Sequence, residues 1–96
     1  MRLVFSSKAR ADPANIGDTI ALDNPPRALS FINELQEKCT VLTEMPFLYP
    51  LLSGYETCNI RRIVHGNYLI FYRVQTKDIV ILRVLHSVMD YGSVIF

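Results

Sequence analysis

The sequence predicts an α+β fold, a helical hairpin packed on a small antiparallel sheet in the order β-α-α-β-β-β. Three observations predict it. A segment opening at Asn24-Pro25 repeats apolar residues at three- and four-residue steps, as an amphipathic helix does. Only Asp23-Asn24 separates it from an earlier helical stretch, so the two helices must run antiparallel. Three apolar runs then follow residue 57, joined by His65-Gly66-Asn67 and Thr76-Lys77, which are short enough for tight hairpins.

Residues 1–5 are short and apolar and end at Ser6-Ser7, which reads as a strand feeding a helix cap. A first helix is expected over 7–22, with Ala9, Ile16 and Ile20 on one stripe. Pro13 conflicts with it. A cap at Ser7 leaves the ring inside the helix and removes a backbone bond, whereas a cap at Asp12 makes Pro13 the first helical residue, where proline is welcome. A kink over 9–13, or a regular helix beginning there, is expected. In the second helix Asn24 caps and Pro25 fills the first turn. Ala28, Phe31, Ile32, Leu35, Cys39 and Leu42 form the buried face, Glu34 and Lys38 an outer i,i+4 pair, and Pro46 ends the helix. Residues 46–57 carry prolines, Ser53 and Gly54, which makes a loop, but Phe47, Leu48, Tyr49, Leu51, Leu52 and Tyr55 make it one that packs down. Strands are expected over 58–64, 67–75 and 78–86, and the chain ends in the apolar Val94-Ile95-Phe96.

Side chains alternate between the faces of a strand. Tyr68, Ile70, Tyr72 and Val74 share one face and Leu69, Phe71 and Arg73 the other. In the last strand, strict alternation gives Val80, Leu82, Val84 and His86 to the helix-covered face and Ile79, Ile81, Arg83 and Leu85 to the opposite one. Both faces are greasy, and a helical hairpin covers one. The second is therefore covered by a partner, or by the apolar loop and the 94–96 tail.

The balance of ten Lys and Arg against nine Asp and Glu excludes a strongly basic nucleic-acid clamp and an acidic tail. Half the residues are hydrophobic, far too many for a disordered chain, and 96 residues make one domain, 1–96. Cys39 and Cys58 form no CxxC pair, which argues against a zinc finger or a disulfide scaffold, and no metal or cofactor is expected. The N-terminus lacks the apolar core of a signal peptide and no run is long enough to span a membrane, so a cytoplasmic protein is expected. There is no P-loop, dinucleotide fingerprint, HExxH or GxSxG motif. His86 is the one general acid/base candidate, set against a packing role at the end of the core face. Arg61, Arg73 and Arg83 converge on an anion site or line a solvated rim, the two readings of guanidinium groups on apolar strands.

The segments FSSKARAD, IALDNPPRALSFINEL, EMPFLYP, IRRIVHGNYLIFYRV and IVILRVLHSVMD, together spanning residues 5–90, resemble the RelE/ParE superfamily of type II toxins. The most specific parts are the Asp-Asn-Pro opening of the second helix and the GNYLIFYRV and ILRVLH strands. The resemblance implies a toxin of a toxin-antitoxin pair, such as those that stabilise plasmids. It implies a cognate antitoxin that wraps the toxin into a hetero-oligomer. Leu69, Phe71, Arg73, Ile79, Ile81, Arg83 and Leu85 are the expected contacts, with no membrane and no sequence-specific nucleic-acid binding. Two activities divide the superfamily. RelE-like members cut mRNA on the ribosome with basic residues and a terminal acid/base group; ParE-like members inhibit DNA gyrase and carry no catalytic set. The cutters place an Arg just after the aromatic of the third strand, where Leu69 stands here, and basic groups after the last strand, where this chain reads His86-Ser87-Val88-Met89-Asp90-Tyr91. Both departures favour a ParE-like inhibitor with no catalytic residues; two more, Pro13 in the first helix and Thr19 where the pattern often has an aromatic, leave open a weakened or decayed toxin. The alternatives are a ribosome-dependent endoribonuclease using His86, Arg61, Arg73, Arg83 and Tyr91, and a non-toxic antitoxin-binding module.

Overall fold

The computed structural model describes residues 1–87. Its elements run β1 (Arg2–Phe5), α1 (Ser7–Asp23), α2 (Pro25–Glu44), β2 (Ile60–His65), β3 (Tyr68–Val74) and β4 (Asp78–His86), with a 3-10 turn at Glu56–Cys58 before β2. This is the predicted α+β order. The sheet order is β1-β4-β3-β2, antiparallel except that β1 lies parallel to β4. The sheet is therefore mixed, because the helical hairpin brings the chain back to pair its first strand with its last.

Helix α1 starts six residues earlier than a cap at Asp12 would allow. Ser6 is the cap: its Oγ accepts from Ala9 N–H at 3.0 Å and donates to the Leu82 carbonyl at 2.8 Å. The helix runs through Pro13 without a break. These bonds to the sheet, with those of Asp12 below, hold the turns that proline weakens. Asn24 serves both helices: its backbone N–H donates to Ile20 O at 2.8 Å, ending α1, and its side chain accepts from Arg27 N–H at 3.2 Å, starting α2.

Phe31, Leu35, Cys39 and Leu42 of α2 are buried, as the periodicity predicts. They pack with Ala9 of α1 on Ile63, Ile70, Tyr72, Val74, Ile79, Ile81 and Val84 of the sheet. Complete burial of a side chain such as Phe31 contributes about 1.5–3 kcal/mol. The expected Glu34–Lys38 pair does not form; the Glu34 carboxylate accepts instead from Arg27 and lies 2.8 Å from His65 Nε2, tying α2 to the end of β2.

The placement of Ile79 and Ile81 corrects the strict alternation. The β3–β4 ladder shifts register between Phe71 and Tyr72: Phe71 lies opposite Arg83 but Tyr72 opposite Ile81, which leaves Leu82 as an extra residue. A bulge of this kind inverts the side-chain phase beyond it. Ile79 and Ile81 therefore join Val84 beneath the helices, and Leu82 packs on the other face.

Candidate functional site

The second face of the sheet carries Ile60, Leu69, Phe71 and Leu85, all buried. What covers them begins with the 46–57 loop. It leaves α2 on the helical side, where the Tyr72 hydroxyl donates to Pro46 O at 3.0 Å and Arg61 Nη1 to Tyr49 O at 2.6 Å. It then crosses the outer edge of β2. Leu52 N–H donates to Ile60 O at 2.8 Å and Arg62 N–H to Pro50 O at 3.3 Å, with a bridge between Leu51 and Arg61. Beyond the edge, Leu52 and Tyr55 land on the second face. Pairing the edge strand in this way also shields backbone groups that would otherwise recruit another chain. The 94–96 tail lies outside the described residues.

The residues expected at a partner face thus separate into three groups. Leu69, Phe71 and Leu85 share the second face and are covered rather than open. Arg73 lies on it beside them, opposite Ile60, and its Nε donates to Cys58 O at 3.0 Å. Ile79 and Ile81 are wholly buried against the helices and do not belong to this surface. Val64, opposite Leu69, is the exposed apolar side chain of this face, and Arg62 lies opposite Phe71. Neither had been singled out as a contact, although both follow from continuing the alternation of β3 across to β2.

Arg83 has a different use. Strand β1 pairs with β4 only from Asp78 to Ile81, so the edge of β4 beyond it has no strand neighbour on that side. Asp12 of α1 fills the gap. Its carboxylate accepts from Val84 N–H at 3.0 Å and from Arg83 Nε and Nη2 at 2.7 and 2.9 Å. The pair is largely buried, and the carboxylate raises the Arg83 pKa above its ordinary value. The sequence gives no local sign that Asp12 meets a residue 71 positions away.

The alternative catalytic set is not brought together. Arg61, opposite Tyr72, is on the helical side with its guanidinium 5.0 Å from the Phe47 ring centre. Arg73 is on the second face and Arg83 is paired at the β4 edge. His86 lies opposite Tyr68, ring edge to ring face at 5.1 Å, in a row that continues to Phe31. Tyr91 lies outside the described residues. Among those residues, no three His, Cys, Asp or Glu side chains are grouped as a metal site, and no helix is long and apolar enough to cross a membrane. Burial pushes the Cys39 thiol up to about 11.

The chain is thus an α+β protein with a four-stranded sheet, one face under a helical hairpin and the β2 edge strapped by a loop. Residues 3–91 match the model of the ParE toxin of type II toxin-antitoxin systems (parDE), and the chain belongs to that family. Among solved structures it is similar to a chain of the chromosomal ParDE system of P. aeruginosa, at 25% identity and a TM-score of 0.76, covering 90% of this chain and 95% of that one. It is also similar to a chain of the RelBE2 toxin-antitoxin complex of Mycobacterium tuberculosis, at 26% identity and a TM-score of 0.63, covering 88% and 95%. No curated protein sequence matches significantly. The protein is a toxin component of the ParE branch of the RelE/ParE superfamily.

Proposed function

We propose that the chain arrests growth by protein–protein contact with DNA gyrase, in the cytoplasm, and that a cognate antitoxin neutralises it in a hetero-oligomer. The observation that carries this reading is the use of the arginines. A site that holds RNA needs cations converging on phosphates. Here Arg83 is spent on Asp12, Arg73 on the Cys58 carbonyl and Arg61 on the Tyr49 carbonyl, on different sides of the sheet. The antitoxin half of the reading is supported by the two solved relatives, whose descriptions each name a toxin-antitoxin assembly. The antitoxin surface is the open margin of the second face, Val64 with Arg62 and Arg73, beside Leu69, Phe71 and Leu85, which the chain itself covers; Arg73 sets register against acidic residues and Val64 adds apolar contact.

The test is induction of the chain alone in a bacterial host, read by growth, mRNA integrity and DNA-damage signalling, beside a supercoiling assay with purified gyrase. Growth arrest with intact mRNA, damage signalling and blocked supercoiling is the expected result. Arrest with cleaved mRNA and normal supercoiling transfers the assignment to the ribosome-dependent endoribonuclease. Harmless expression transfers it to a module that only titrates an antitoxin.

A further inference from the structure

We propose that a cavity between the helical hairpin and the sheet is a binding site for a small, uncharged apolar molecule of about the size of benzene. The cavity measures about 130 Å³. Leu35, Cys39 and Val84, all buried, form its floor, and half-buried Phe5, Pro13 and Ile32 its walls. Gln36 is the exposed residue of the lining and marks the mouth.

Size and lining select the occupant. A buried water needs about two to four polar partners, whereas an apolar cavity of about 150 Å³ stays dry and takes up benzene. Floor and walls here offer hydrocarbon and one thiol. Burial pushes the Cys39 thiol up to about 11, so it carries no charge at neutral pH. The Asp12 carboxylate, next to Pro13 in the chain, is committed to Arg83 and to Val84 N–H. A charged molecule would therefore lose its hydration in the cavity and gain no partner.

Two residues that suit the fold poorly line this one space. Cys39 stands on the buried stripe of α2 between Leu35 and Leu42, where a leucine would bring a larger side chain into the cavity. Pro13 lies inside α1, where it gives up a backbone bond, and its ring is part of the wall. A void costs stability in proportion to its volume, and a chain of 96 residues has little core to spare. Both choices make sense together as the lining of a binding site.

The surface around the mouth favours a free molecule over the side chain of a protein partner. A protein anchor sits at the centre of a patch whose surrounding contacts exclude water. Beside Gln36 the exposed side of α2 carries Asn33, Glu37 and Thr40, all polar. Among the described residues, none of the exposed large hydrophobics lines the cavity. The expected Kd for benzene is on the order of 0.1–1 mM.

The test uses benzene as the probe on the purified full-length chain, with benzoate as its charged counterpart. Benzene at about ten times its Kd should raise Tm by about 5–10 °C, and benzoate should not. In methyl NMR spectra the signals of Ile32, Leu35 and Val84 should move, while those of Leu52 and Leu69 on the second face stay. Cys39→Leu should fold and lose the response to benzene. Val84→Ile, a smaller filling of the same floor, should weaken benzene binding several-fold and serves where the leucine variant does not fold. The proposal is overturned by a melt indifferent to benzene, by methyl shifts spread over both faces, or by filled variants that still respond. If benzene does not bind and a folded Cys39→Leu loses antitoxin capture, the cavity receives a partner's side chain and the proposal falls as well.

Discussion

Removing the Asp12 carboxylate should be among the most damaging single changes in the protein. It accepts three hydrogen bonds, two from the Arg83 guanidinium and one from Val84 N–H. The two side chains are 10% and 16% exposed. Breaking a fully buried ion pair by deleting one partner costs about 3–5 kcal/mol, and the residual water at Arg83 lowers that to about 2–4 kcal/mol for Asp12→Ala. In a domain of this size that is a drop in Tm of roughly 10–25 °C. Asp12→Asn keeps an acceptor for Val84 N–H and should cost about half as much. The assay is urea unfolding of the purified chain, followed by circular dichroism, for Asp12→Ala, Arg83→Met and the double variant. The double should be less damaging than the sum of the singles by about 2 kcal/mol, since deleting both partners leaves no orphaned charge. A cost for Asp12→Ala under about 0.5 kcal/mol, or a cycle additive to within about 0.3 kcal/mol, would refute the claim that this pair closes the edge of β4.

Cys39, buried with its thiol pushed up to about 11, should resist a thiol reagent at pH 8 while exposed Cys58 reacts at once; fast labelling of both native thiols would contradict this. The Glu34 pKa is held below its ordinary value chiefly by its hydrogen bond to Arg27. Its contribution is therefore present above the ordinary carboxylate range and lost as pH falls through the lowered folded value. Glu34→Gln should flatten the acid limb of a stability–pH profile below about pH 4.5, and an unchanged limb would count against the pair. Ile81→Ala should cost about 2–5 kcal/mol of stability because it opens a cavity under the helices. Arg73→Glu should instead leave the melt within about 1 kcal/mol of the parent and weaken antitoxin capture. A reversal of these two phenotypes, seen by calorimetry and pull-down, would return Ile81 to the partner face.

The sequence revealed the elements whose causes are local. Asn24 and Pro25 announce α2, its buried stripe follows from spacing, and Gly66 with φ +59° marks the β2–β3 turn. What it did not reveal depends on distant parts of the chain. Pro13 looks like a helix start until Ser6 is found bonded to Leu82 and Asp12 to Arg83. These tertiary bonds outweigh a local preference worth about 3 kcal/mol. The faces of β4 were misread for a similar reason. Nothing in the run Ile79-Val80-Ile81-Leu82-Arg83-Val84 marks one residue as extra, since every position but Arg83 is apolar. Only the register against β3 exposes it.

The arginines fail to converge for a separate reason. The bulge moves Ile79 and Ile81 off the second face, but Arg83 and Leu85 lie on its other side and keep the phase of Phe71. Next to the bulge β1 ends, so the β4 edge changes neighbours there, from a strand to the first turns of α1. Asp12 meets Arg83 and Val84 at that point, and one carboxylate both neutralises the cation and stands in for the missing strand acceptor. Cationic chemistry on the sheet is thereby exchanged for attachment of α1. The Arg83 guanidinium is in this way part of what holds α1 to the sheet, which is why the loss of Asp12 is expected to be read in stability.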